Sequence, residues 1–263
     1  GAGFIRMQPS ELAMLAVLLF AADLLARRRD KGDLSSPLKP VLVVVGLIAA
    51  LVMKQPDMGT TLAIGTIVMA LLFLVGVPLR TMAGLVAAAA GAAFVVGMVE
   101  PYRRARLMSF MDPFADGQNS GYQVVQSLVG LGSGQLTGVG LGASRAKWGF
   151  LPNAHTDFIF AVIGEEMGLL GAVVVVALFA AFAVIGVRTA LRCPDTFGML
   201  LAGGVTAWLV GQAIINISTV CGLLPVTGVP LPFVSLGGSS TVIAMAAVGL
   251  MVSVARRSGP ARP

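Results

Sequence analysis

The run MGLLGAVVVVALFAAFAVIGV, residues 167–187, decides the class of this chain. It is long enough to cross a hydrocarbon core about 30 Å thick as a helix, and it carries no charge. No period-two alternation with a polar face runs through it, which argues against a barrel strand. Further apolar runs cover 12–26, 41–53, 62–77, 82–99, 197–223 and 241–254. Of the 263 residues, 57% are hydrophobic and only 11% charged. The mean hydropathy is +0.91, too apolar for a soluble domain of this length. The expected fold is all-α, a polytopic transmembrane helix bundle of about seven spans forming a single membrane domain over 1–263.

The segments between the runs organise the bundle. Pro9 and Glu11 suit the first turn of the first helix, which ARRRDKGDLSSPLKP then stops. KQPDMGTT ends the second, and Pro78 with Arg80 the third. The run over 82–99 is rich in Ala and Gly, which lets helices approach closely. From about 100 to 164 the chain turns polar and glycine-rich and reads as one large extracytoplasmic loop. Its portion 122–129 is apolar enough to lie on or dip into the membrane, where backbone must be covered by protein or face a wet cavity. PVTGVPLPFVSLGGSS, residues 225–240, is a second candidate for re-entry.

The net charge of +6 is explained by orientation rather than by nucleic acid. If the basic loop over 26–40 is cytoplasmic, that side collects Arg27, Arg28, Arg29, Lys31, Lys39, Arg80, Arg188, Arg192, Arg256, Arg257 and Arg262. The other face keeps Arg6, Lys54, Arg103, Arg104, Arg106, Arg145 and Lys147, together with Glu11, Asp57, Asp157, Glu165 and Glu166. Cys193 and Cys221 fall near opposite ends of one expected span, separated by roughly 40 Å at the helical rise, and cannot pair. The chain opens at Gly1 with neither a methionine nor a signal pattern, so it is expected to be a fragment or to have lost its beginning. No internal repeat of the inverted-repeat transporter kind is present.

One window gathers the chemistry. LPNAHTDFIFAVIGEE, residues 151–166, holds the only histidine, Asp157 and the Glu165/Glu166 pair. A carboxylate beside His155 and ahead of FIFAVI sits where water gives way to hydrocarbon, an environment that equips an acid for proton transfer. An ordinary loop carboxylate marking the end of a span is the competing reading, and the window alone does not separate them.

Several long blocks, in order, resemble one family: the SEDS proteins, the FtsW/RodA group of bacterial peptidoglycan glycosyltransferases. These are MQPSELA from Met7, KQPDMGT from Lys54, DPFADGQNSGYQVVQSL from Asp112, GVGLGASRAKWGFLPNAHTDFIFAVIGEEMG from Gly138 and GLLPVTGVPLPFVSLGGSS from Gly222. PNAHTDFIFAVIGEE and PVTGVPLPF look closer to the division-type FtsW branch than to the elongation-type RodA branch. Two features depart from the family pattern. Members usually have about ten spans against the about seven counted here by length, the N-terminal portion being what is missing. The lysine common in QPSELAK is Met14 in this chain.

The resemblance implies a multi-pass protein of the bacterial cytoplasmic membrane that polymerises lipid II into glycan at the outer face, releasing undecaprenyl pyrophosphate. Its implied partners are a class B penicillin-binding protein and other divisome proteins. Such chemistry needs a base for the acceptor hydroxyl, an offset for the pyrophosphate charge and an apolar groove for the lipid. The family's essential loop aspartate falls on Asp157, the implied general base. Glu11, Lys54, Asp57, Arg103, Arg106, Tyr122, Gln123, His155 and Ser239 form the implied substrate-binding set, with Arg104, Arg145 and Lys147 as further cations. A divalent cation (Mg or Mn) is expected, with Glu165 and Glu166 as its candidate ligands, although neighbours on a helix point to different faces and at most one should face the cavity.

Plainer readings accompany these. Glu11 also suits a first-turn acid complementing the helix dipole, Lys54 and Asp57 an ion pair anchoring a turn, and His155 a neutral loop cap. Outer-loop arginines also bind lipid headgroups. The glycines of GLGSGQLTGVGLG are loop flexibility rather than a phosphate cradle, since no strand precedes them and no GK[ST] follows. Two other functions remain open: a lipid II flippase, and a scaffold that only positions a partner transpeptidase.

Overall fold

The computed structural model describes residues 8–29, 35–54, 57–99, 104, 110–114 and 121–257. Arg103 and Arg106 lie outside the described residues, as does the side chain of Lys54. Among the described residues the regular elements are helices and there is no strand. They are α1 (Pro9–Arg29), α2 (Ser35–Lys54), α3 (Met58–Val75), α4 (Leu79–Val99), α5 (Tyr122–Ser133), a 3-10 turn (Ala146–Trp148), α6 (Ile159–Arg192), α7 (Thr196–Val220) and α8 (Gly238–Arg257).

Each expected apolar run is a helix. Pro9–Arg27, Met58–Val75, Ile159–Arg192, Thr196–Val220 and Gly238–Arg257 are long and apolar enough to cross a membrane, whereas Lys39–Met53 and Leu79–Val95 are shorter apolar helices. The chain is therefore a multi-pass membrane protein, with an all-α, polytopic fold. Local chemistry sets the ends. Asp57 caps α3, accepting from Thr60 N at 2.9 Å and from Thr60 Oγ1 at 2.6 Å. Gly76, at φ 95°, stops α3 while Val77 N returns to Leu72 O; Pro78 follows, and its carbonyl starts α4. Helix α2 begins at Ser35, before the expected 41, and runs through Pro40, forgoing one backbone bond there.

Helix α6 also departs from expectation. It begins at Ile159 rather than at 167, so Glu165 and Glu166 are helical residues and the expected loop ends earlier. The cause is a break at Gly168 (φ 67°, ψ −163°), which in sequence looks like a helix start preceded by polar residues. Helix α5, too short to span, lies inside the stretch expected as loop. The segment 221–237 is irregular but packed, with Val229 and Leu231 buried.

The chain divides into two compact units, residues 1–82 with 180–211 and 237–263, and residues 83–179 with 212–236. In the first, α1 packs on α2, α3 and α8, and α2 on α3. Leu18, Leu25, Ile64, Ile67, Leu71 and Leu72 are fully buried there, held by close packing rather than by escape from water, since lipid is as apolar as leucine. In the second, Leu151, Phe158, Phe160 and Ala161 pack with Ala213, Val220 and Leu231. That core seats the 151–158 turn against the C-terminal part of α7.

Candidate functional site

In the second unit, Asp157 closes a turn leading into α6. Asn153 adopts φ 58°, a conformation asparagine tolerates better than most residues, and its carbonyl accepts from Thr156 N and Phe158 N at 3.1 and 3.3 Å. Phe158 and Phe160 are buried, Asp157 is half-buried and His155 is exposed. The apolar anchors thus fix the backbone while the carboxylate stays partly accessible. Asn216, from α7, donates its Nδ2 to Asp157 O at 2.7 Å. Opposite the carboxylate lies Gly228 (φ 75°), where a Cβ would come within 3.7 Å of Asp157 Oδ2. Chemically, a half-buried carboxylate on a fixed turn at the mouth of a membrane helix can accept a proton from a bound hydroxyl.

Glu165 and Glu166 both bind the segment Ser144 to Lys147. Glu165, 5% exposed, accepts from Ser144 Oγ at 2.5 Å, Arg145 N at 3.0 Å and Ala146 N at 3.2 Å. Glu166 accepts from Ser144 N at 3.3 Å and Lys147 Nζ at 2.9 Å. Both carboxylates therefore serve the N-terminus of the 3-10 turn, an anion at the positive end of a short helical segment. Lys147 is engaged by Glu166 and Gly142 O and sits 5.8 Å from the Trp148 ring. The pair does not fit a resident metal ion, because N–H, O–H and ammonium donors face its oxygens. Among the described residues no group of three or more His, Cys, Asp and Glu could hold a metal ion.

The break at Gly168 is stitched to residues 135–140. Val139 N and Gly140 N donate to the freed carbonyls of Glu165 and Glu166, at 2.9 and 3.1 Å, while Leu169 N and Leu170 N donate to Gln135 O and Leu136 O, at 2.8 and 3.2 Å. Four backbone groups at the break thereby find partners outside the helix. A cleft of about 640 Å³ lined by Gln126, Val129, Arg145, Phe150 and Glu165 lies on this side and does not include Asp157. Tyr122 and Gln123 open α5, half-buried. That helix is tied to α7 by Ser127 Oγ donating to Val220 O at 2.9 Å.

In the first unit the structure brings together three expected residues. Ser239, at the start of α8, donates its hydroxyl to Glu11 of α1, and the Asp57 carboxylate is close enough to act on Glu11. Glu11 is 8% exposed, and its Oε2, like Ser10 Oγ, is buried without a partner. Asp57 is committed to capping α3, and Lys54 ends α2. Asn216 and Ser235 were not singled out from sequence. An amide inside the apolar run IINIS is the signal that would have found Asn216.

The sequence model of the cell cycle protein family FtsW/RodA/SpoVE matches residues 1–259. The chain is 44% identical over 256 residues to the probable peptidoglycan glycosyltransferase FtsW of Mycobacterium tuberculosis, covering 97% of this chain and 49% of the relative. It is 39% identical over 253 residues to the Geobacter metallireducens protein of the same name, covering 96% and 68%. The chain thus spans about half the length of the mycobacterial relative. Its fold is similar to a chain of a peptidoglycan synthase complex that coordinates polymerization and crosslinking (TM-score 0.75, 30% identity, 98% of this chain and 72% of that one). It is also similar to the rod shape determining protein RodA of Thermus thermophilus (TM-score 0.64, 26% identity, 99% and 69%).

Proposed function

Because the chain belongs to the FtsW/RodA/SpoVE family of cell cycle proteins, we propose that it serves lipid II polymerisation with Asp157 as general base. The carboxylate takes the proton of the acceptor's sugar hydroxyl as that oxygen attacks the donor's anomeric carbon. The bond to the pyrophosphate breaks, and undecaprenyl pyrophosphate leaves. The observation that carries this reading is Asp157 on a buried-anchored turn with the Cβ-free Gly228 facing its carboxylate. The reaction face is extracytoplasmic, by the charge bias of the loops.

Glu11, whose buried Oε2 lacks a partner, and Ser239 are proposed to contact the substrate, with Tyr122 and Gln123 as further contacts. His155 is exposed and free to orient a bound sugar. Lys54, Arg103 and Arg106 are carried as pyrophosphate-binding candidates by charge alone. The divalent cation is carried without an assigned protein ligand, since the Glu165/Glu166 pair does not fit one. A class B penicillin-binding protein and other divisome proteins are the proposed partners, supported by similarity to a chain of a peptidoglycan synthase complex.

The test is Asp157→Asn in the complete protein, assayed with purified lipid II. The expected loss is on the order of 10²–10⁴ in rate, and normal glycan formation would sink the assignment. The broken helix at Gly168 keeps a lipid II flippase as the second reading, since interrupted helices also serve transporters. Leaflet transfer of fluorescent lipid II without polymer would favour it.

A further inference from the structure

The backbone that carries Asp157 is held at three consecutive carbonyls. His155 O accepts from Leu236 N at 2.9 Å. Thr156 O accepts from Ser235 Oγ at 2.5 Å. Asp157 O accepts from Asn216 Nδ2 at 2.7 Å. Just beyond it α6 starts tightly, Ala161 N bonding to Phe158 O at 2.9 Å, a 3-10 spacing.

The donors come from two places distant in sequence and are themselves fixed. Asn216, 1% exposed, donates its Nδ2 also to Val229 O at 2.7 Å, so one amide ties α7, the Asp157 turn and the 225–236 segment together. Its Oδ1 is buried without a partner, and both of the bonds that tie this junction are made by the amide nitrogen. Ser235, also buried, accepts from Leu231 N at 2.7 Å while donating to Thr156 O. The 225–236 segment is thereby folded onto itself and onto the turn by the same hydroxyl. Buried hydrogen bonds of this kind are strong and leave few alternative arrangements. A turn pinned at three successive carbonyls has little freedom to rotate the peptide planes that aim the next side chain.

We propose that Asn216 and Ser235 are positioning residues that clamp the 155–157 carbonyls and so hold Asp157 in line with the acceptor hydroxyl. The proposal rests on the reading of Asp157 as the base. Neither side chain touches substrate in it; both act through the backbone of the turn. Loss of the clamp leaves the carboxylate present but misaimed, so the effect falls on turnover and not on substrate affinity.

The experiment measures kcat and KM for lipid II polymerisation by the complete protein in a membrane mimetic, comparing Ser235→Ala, Ser235→Thr and Asn216→Leu with the unaltered protein and with Asp157→Asn. Ser235→Ala is expected to lower kcat about tenfold and Asn216→Leu up to roughly a hundredfold, the scale of small misplacements at a reacting group. KM should stay near its original value, and Ser235→Thr, which keeps the hydroxyl, should restore kcat. If Asn216→Leu fails to fold, the Ser235 pair alone decides. An unchanged kcat in Ser235→Ala overturns the clamp, as does a loss carried by KM or a loss that threonine does not restore. The Asp157→Asn arm separates the two claims: full activity there removes the base itself, whereas an inactive Asp157→Asn beside a fully active Ser235→Ala removes only the clamp.

Discussion

Replacing Gly168 by alanine should unlock the α6 break. At φ 67° and ψ −163°, a backbone region essentially reserved for glycine, a side chain costs about 1–3 kcal/mol. The new Cβ would also stand 2.4 Å from Gly138 N and 2.5 Å from both C and O of Leu136, backbone atoms that cannot swing aside as a side-chain tip can. Segment 135–140 must retreat, and with it go up to four backbone hydrogen bonds, those of Val139, Gly140, Leu169 and Leu170. At about 0.5–1.5 kcal/mol net for each, the loss is about 2–6 kcal/mol. With the backbone strain the total reaches about 3–9 kcal/mol, a large share of a typical stability of about 5–15 kcal/mol. Gly91→Ala in α4, where a Cβ meets nothing within 4 Å, is the control and should be neutral or mildly stabilising. The assay is thermal unfolding of the complete solubilised protein, paired with hydrogen exchange of the 139–140 and 169–170 amides. Gly168→Ala should unfold at lower temperature and exchange faster at those amides. If it unfolds and exchanges like the unaltered protein, the stitched break is not a structural element.

Two further outcomes follow from the same physics. Asp195 caps α7, its Oδ2 accepting from Gly198 N at 2.6 Å, and that bond, with smaller help from Cys193 Sγ and the Arg257 charge, lowers its pKa below the ordinary carboxylate value. Its stabilisation is therefore present above about pH 3.9 and lost as pH falls through the depressed folded value; Asp195→Ala should cost about 0.5–2 kcal/mol near neutrality and flatten that acid limb in a pH series of melting temperatures. Excess chelator should slow lipid II polymerisation on the order of tenfold or more without lowering the melting temperature, since a metal's worth lies in offsetting the departing charge; undiminished turnover would remove the metal from the scheme.

Much of this architecture was legible residue by residue. The apolar runs marked their helices because a span must be long, apolar and internally hydrogen-bonded. The window 151–166 marked the turn because an aspartate ahead of FIFAVI is an unusual use of a charge. The start of α6 was not legible, because Glu165, Glu166 and Gly168 look like a loop end until residues 135–140 supply the missing backbone partners. Glu165 and Glu166 looked like metal ligands because their donors, Ser144 to Lys147, lie far off in sequence. Asp57 was readable as a cap from its spacing to Thr60, yet charge drew attention to substrate instead. Asn216 and Ser235 show the limit most clearly: their role is a set of contacts to carbonyls, and carbonyls leave no trace in side-chain identity.

The central claim rests on Asp157, and lipid II polymerisation measured beside lipid II binding tests it most directly. The complete protein carrying Asp157→Asn should bind lipid II as the unaltered protein does and form no glycan under the same conditions. Glycan chains of normal yield and length from that variant would contradict the account.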